Sequence, residues 1–332
     1  MKRIMLQIFL GFLSSVFGLN SWAQTSSACP DTSKGETPLD CPWAEISRAS
    51  QASADPTLIK AVFDKKMPAF LDQINKDARA PDLLALWGLS KNIDESHPET
   101  TIVSPSLLQY FASILKVNYN ATYTQGHAGL THTYGYLFST LQTPYGYKRA
   151  RYVQGEIESG FGIPTPVFSG LSQRGTLLSN FTTFIAPIAF RDSRFSKIDF
   201  QFVLDTQQIE ALPEIINYPY SELKPKRLLE VVSNSEFYLE LRTDIVPFKR
   251  PATNQALLIY SIDYHLVGKD SHPRLITAFP VQEEFAKGLF DPTQLGDQVQ
   301  LRLKYNAALP VDLPAEKLIG KRYIYDEPIK RN

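Results

Sequence analysis

The hydrophobic period of the chain changes partway along its length, and that change restricts the fold more than any other feature. Across residues 55–78, Leu58, Ile59, Val62, Phe63, Met67, Phe70, Leu71 and Ile74 recur at helical spacing, with Pro56 at a first-turn position. Pro68 lacks the N–H that a helix interior needs, so a break is expected beside it. Helical segments are also predicted over residues 81–89 and, after Ser104 and Pro105, through Leu107, Leu108, Phe111, Ile114, Leu115 and Val117. A further short helix is predicted around residues 134–141.

After Thr183 the period becomes two. Ile198, Phe200, Phe202 and Leu204 alternate with mostly polar neighbours, as do Phe237, Leu239 and Leu241 with Tyr238, Glu240 and Arg242. That pattern predicts strands with one apolar and one wet face. Residues 257–267 and 274–281 flank a Gly-Lys-Asp-Ser-His-Pro turn and are expected to pair, and residues 298–305 alternate again. Short helices are expected at 206–216 and 282–289. Short loops between such runs favour antiparallel neighbours. The chain therefore reads as α+β: an N-terminal helical region followed by a mainly antiparallel β-sheet, without an internal repeat.

The first residues have the layout of a cleavable secretory signal: Lys2 and Arg3, an apolar stretch over residues 4–19, and the small-x-small site Ser21-Trp22-Ala23. Gln7, Gly11, Ser14, Ser15 and Gly18 interrupt the apolar run, which argues against a spanning helix of about 20 apolar residues. The expected organisation is a signal peptide at 1–23, a disulfide-containing leader at 24–54, a helical region at 55–120 and a loop-rich α+β region at 121–332. The leader is expected to be extended. No integral membrane segment is expected after cleavage, and the expected location is secreted or periplasmic. Cys29 and Cys41, the two cysteines of the chain, are expected to form one disulfide in such an oxidising compartment.

Composition limits the partners. Lys and Arg number 34, as do Asp and Glu, and losing Lys2 and Arg3 with the signal peptide leaves 32 against 34. A slightly acidic protein is not a general polyanion binder, so any RNA contact must be a local site. A 43% hydrophobic content with 12% aromatic residues supports a real core. Asn120-Ala121-Thr122 and Asn180-Phe181-Thr182 match the glycosylation pattern.

The densest polar cluster runs from Gln125 to Tyr136 and contains His127, His132 and Tyr134; Lys148, Arg149 and Arg151 follow it. Two imidazoles five residues apart in a Gly-flanked segment could divide base and acid roles. A nearby Lys or Arg could stabilise charge building on a phosphate. A metal reading would need a third ligand from His97, His265, His272 or a carboxylate, and no His-Glu-x-x-His spacing occurs. Neither metal nor cofactor is expected. On residues 257–267, Ser261, Asp263 and His265 share one strand face, but same-face positions are roughly 6.6–7 Å apart, beyond direct hydrogen-bond reach. A solvated strand face is the expected explanation there.

Tyr260-Ser261 in one strand, followed by Arg274-Leu275-Ile276-Thr277-Ala278-Phe279-Pro280-Val281, resembles the closing strands of the EndoU-like endoribonucleases and related barnase-like toxin ribonucleases. The resemblance covers about twenty residues. It implies a helical region before an antiparallel sheet, and RNA cleavage in which the ribose 2′-OH attacks the adjacent phosphate. It also implies His127, His132, Lys148 and Thr277 as catalytic residues, with Phe279 holding the substrate; Arg151, Ser261 and Tyr134 are further substrate-binding candidates. Phe279 stands where the family often has Tyr, and the His pair is closer than the family's usual spacing. The competing expectation is a non-enzymatic exported binding protein that presents Tyr123, Tyr134, Tyr136, Tyr145, Tyr147 and Tyr152 on a loop surface. A hydrolase of envelope material is a third reading, and it needs a cleft at Ser261 or a metal-bound His.

Overall fold

The computed structural model describes residues 29–87, 89–93, 103–117, 126–143, 146–164, 167–172, 174–191, 212–269, 273–291, 298–300 and 319–326. The expected signal peptide, the strand at 198–204, Asn120, Tyr123, Tyr145, His97 and His272 lie outside the described residues.

The fold is α+β, as the change of period implies. The helices are α1 (Cys41–Ala52), α2 (Pro56–Lys66), α3 (Pro68–Asp77), α4 (Pro81–Trp87), α5 (Pro105–Leu115), α6 (Leu130–Gly135), α7 (Ala150–Val153), α8 (Glu156–Phe161), α9 (Leu177–Ala189), α10 (Pro213–Ile216) and α11 (Glu283–Leu289). Asp55 caps α2 by accepting the Thr57 N–H at 2.8 Å. The chain breaks at Met67, between α2 and α3, where Pro68 starts the next helix. Regular structure begins earlier than expected: α1 occupies the second half of the supposed extended leader, and its Trp43, Ala44 and Ile46 are buried. Its apolar residues pack into the helical core, which outweighs the polar composition around them.

The strands are β1 (Leu89–Ile93), β2 (Gly126–Gly129), β3 (Gln142–Thr143), β4 (Gly146–Tyr147), β5 (Lys226–Ser233), β6 (Phe237–Pro247), β7 (Ala256–Leu266), β8 (Arg274–Val281), β9 (Gln298–Gln300) and β10 (Ile319–Asp326). Six of them form one sheet in the order β8-β7-β6-β5-β10-β9, with every neighbouring pair antiparallel. The β7–β8 pairing runs from Ala256 opposite Val281 to Tyr260 opposite Thr277, and a register shift then sets Ser261 opposite Leu275. β1 pairs with β2, and β3 with β4, in two small separate ribbons.

The sequence periodicity missed α9, although this helix joins the layers. It lies against α3 and against β6, β7 and β8, and every residue in it except Pro187 is buried. The helix carries no charged residue and is buried on every side, so the uncharged Ser179, Asn180, Thr182 and Thr183 do not mark its period as a solvent-facing stripe would. Thr176 and Ser179 form a capping box at its start. Pro187 has no N–H to give the Thr183 carbonyl four residues back, and the Tyr220 hydroxyl donates to that carbonyl instead, at 2.9 Å. At the other end, Arg227 Nη2 on β5 donates to the carbonyls of Ile188 and Ala189 at 2.8 and 2.9 Å. A cation there opposes the negative end of the helix dipole.

Candidate functional site

Among the described residues β8 is an edge strand, and an edge leaves a row of backbone carbonyls without ladder partners. Two of these are taken up by α7, which follows the turn at Lys148 and Arg149. Tyr152 donates its hydroxyl to the Ala278 carbonyl at 2.8 Å, and Arg151 Nη1 donates to the Pro280 carbonyl at 3.1 Å. Lys148 reaches the same strand: its ammonium sits 4.2 Å from the centre of the Tyr136 ring and 5.6 Å from that of Phe279. The Tyr136 and Phe279 rings meet edge to face at 6.2 Å. A cation held over aromatic faces and screened from water gains about 0.5–2 kcal/mol.

Lys148, Arg151 and Phe279, all singled out from sequence, are thus brought together. β2, which carries His127, and α6, which carries His132, also lie against β8. The side chains of His127 and His132 themselves lie outside the described residues. Thr277 shares the strand face of Phe279 but is only 2% exposed.

Arg149 was noted in the sequence only as a neighbour, yet it anchors this turn. It is fully buried, donating from Nε to Asp40 at 3.1 Å, from Nη2 to Glu36 at 2.9 Å and from Nη1 to the Ser139 carbonyl at 3.1 Å. Its guanidinium stacks on Tyr147 at 4.1 Å. Glu36 also accepts from Arg48 and from the Asp31 N–H, both at 2.9 Å. Glu36 and Asp40 both lie within the loop that the Cys29–Cys41 disulfide closes. The expected disulfide is present, and its loop holds the acidic half of a balanced four-charge network.

The sheet face expected to be wet is buried. Tyr238, Glu240, Arg242 and Asp244 on β6 stand opposite His265, Asp263, Ser261 and Ile259 on β7. Arg242, Asp244, Ser261 and Asp263 are all fully buried. The alternation was read correctly, but its polar side turns toward the helical layer, where ion pairs replace water. Arg227 and Asp244 pair at 2.8 Å, and Arg242 Nε donates to Glu240 at 2.6 Å. Arg242 Nη2 also comes within 3.6 Å of Asp263. Asp263 is thereby engaged with an arginine, which argues against a triad with Ser261 and His265. Among the described residues the Ser261 hydroxyl has no hydrogen-bond partner, and its burial removes it from any substrate surface.

Tyr134 is also corrected as a substrate-binding residue. It is fully buried and donates its hydroxyl to Asp77, which the Thr176 hydroxyl also contacts. Burial pushes the Asp77 carboxyl up to about 7 and the Tyr134 hydroxyl well above its usual range. Tyr136, Tyr147 and Tyr152 are buried as well, so four of the six rings proposed for an adhesive surface belong to the core.

No helix among the described residues is long and apolar enough to cross a membrane. Nor do the described residues contain a group of three or more His, Cys, Asp or Glu placed to hold a metal ion. No family model, curated protein or solved structure matches the chain.

Proposed function

We propose that the protein is an exported, metal-independent endoribonuclease-like enzyme whose reaction centre lies along the outer edge of β8. The observation that carries this reading is the meeting of Lys148, Arg151 and Phe279 at that edge, with the elements that carry His127 and His132 packed against the same strand. The resemblance of the closing strands to EndoU-like enzymes adds to it.

In the proposed reaction one imidazole, assigned to His127, takes the proton from the ribose 2′-OH as the O2′–P bond forms. The P–O5′ bond breaks, and the other imidazole, assigned to His132, gives a proton to the departing 5′ oxygen. Lys148 supplies positive charge to the phosphate oxygens. Phe279 offers a ring on which a base could stack. Thr277, Ser261 and Tyr134 are given no part in this scheme: they are 2%, 0% and 0% exposed, whereas Lys148 keeps 9% and Phe279 is half-buried.

The test uses purified mature protein and end-labelled RNA in excess EDTA. Cleavage yielding 2′,3′-cyclic phosphate ends is expected, with Lys148→Met lowering the rate by roughly 10²–10³-fold, the size of loss typical for one charge-stabilising donor. No cleavage between pH 5 and 8, or cleavage undiminished in His132→Ala, removes the reading.

A further inference from the structure

We propose that the Cys29–Cys41 loop is a redox-controlled clamp that holds the 147–153 segment against the edge of the main sheet. The loop is short, spanning 12 positions, and both cysteines are only partly buried, so a small reductant can reach the bond. It contains the two carboxylates that grip Arg149, while residues 32–35 within it are exposed. Asp40 is further fixed by accepting from the Thr37 N–H at 2.9 Å and from the Thr37 hydroxyl at 2.8 Å.

From Arg149 the route to the sheet is one residue long on either side. Lys148 lies over the Tyr136 and Phe279 rings, and Ala150 begins the turn of helix that carries Arg151 and Tyr152 to β8. The covalent closure keeps Glu36 and Asp40 facing one guanidinium. Opened, the loop is free to let either carboxylate return to water, because solvation of a carboxylate competes strongly with any imperfect buried pairing. Arg149 then loses its anchor, and the two side-chain donors to the β8 carbonyls lose theirs.

The chemistry is a two-electron exchange with a dithiol. The reagent's thiolate attacks one cysteine sulfur and the other cysteine leaves as a thiolate; the reagent's second thiol then displaces the attacked cysteine from the mixed disulfide. Cys29 and Cys41 leave as thiols, and the reagent leaves as its cyclic disulfide. The clamp does not depend on any enzymatic activity, so its failure and that of the RNA-cleaving reading are separable.

Amide hydrogen exchange read by mass spectrometry on the full chain, oxidised against reduced with dithiothreitol, is the test. Reduction is expected to speed exchange at least tenfold in segments 147–153 and 274–281 while leaving 237–247 on β6 protected. Unchanged exchange at 274–281, or an equal rise at 237–247, overturns the clamp. In oxidised Arg149→Met, segment 274–281 is expected to exchange fast already, with no further response to the dithiol. A full response in that variant means that the coupling does not run through Arg149, and it also overturns the proposal. The oxidised-against-reduced comparison of the unaltered protein decides by itself, whatever the stability of the variant.

Discussion

Asp77 shows how far a residue's surroundings can move its chemistry. At the end of α3 it receives the hydroxyls of Tyr134 from α6 and Thr176 from the start of α9, and thereby joins three helices. Burial raises its carboxyl from 3.8 to about 7, so between those values the native state holds a proton that the unfolded chain has released. Stability from this group is therefore complete below about pH 4 and is lost as pH rises toward 7, by at most roughly 4 kcal/mol. Urea titrations at pH 4, 5.5 and 7 should show Asp77→Asn gaining on the wild type as pH rises; a constant difference would refute the assignment. Asn180 shows the reverse lesson. It heads a glycosylation pattern, but it is buried inside α9, where its amide nitrogen lies 3.4 and 3.3 Å from the carbonyls of Val167 and Arg174. Gly170 takes a left-handed φ of 78° with the Phe70 ring where a Cβ would sit. Gly170→Ala should cost roughly 2–4 kcal/mol in chemical denaturation, from backbone strain and overpacking together.

At the scale of elements, α9 depends on partners from outside itself. Arg227 serves at once as its C-terminal cation and as the partner of buried Asp244. Arg227→Met should therefore destabilise by about 3–5 kcal/mol, mainly by leaving that carboxylate unpaired, whereas Arg227→Met/Asp244→Leu should recover most of the loss. If thermal melts show the double variant no better than the single, the burden lies elsewhere. The β8 edge is a milder case: Tyr152→Phe removes one donor to the Ala278 carbonyl and should cost about 1 kcal/mol. β6, β7, β8 and α11 were legible because each has a clear period, turn residues at its ends, or both. β5 and α9 were not: β5 mixes buried and half-buried residues without strict alternation, and α9 has no charged residue to mark an outer side, its Ser179, Asn180, Thr182 and Thr183 being buried with the rest. That both faces of β6 are covered could not be read from the alternation, since periodicity gives two faces without saying which layer covers each.

For the whole molecule, the disulfide links the chain's beginning to the edge of its sheet through Arg149. Replacing both cysteines by serine should lower stability by about 3 kcal/mol from loop-closure entropy alone, measurable by urea titration. A loss much larger than that would mean that the buried charge network fails together with the bond. The candidate site follows the same division. Lys148, Arg151 and Phe279 were named from their residue types, but 128 positions separate Arg151 from Phe279, and only packing of α7 on β8 brings them together. By itself the sequence determined the α+β class, the break before Pro68, the β7–β8 hairpin and the pairing of the two cysteines. Each is fixed by local period, backbone chemistry or residue scarcity. Tertiary structure alone decided that the polar face of the sheet is buried and ion-paired, that Tyr134 and Ser261 lie inside, and that Arg149 ties the disulfide loop to the turn beside β8. The physical reason is that burial and charge pairing depend on which distant surfaces meet, and no local pattern carries that information.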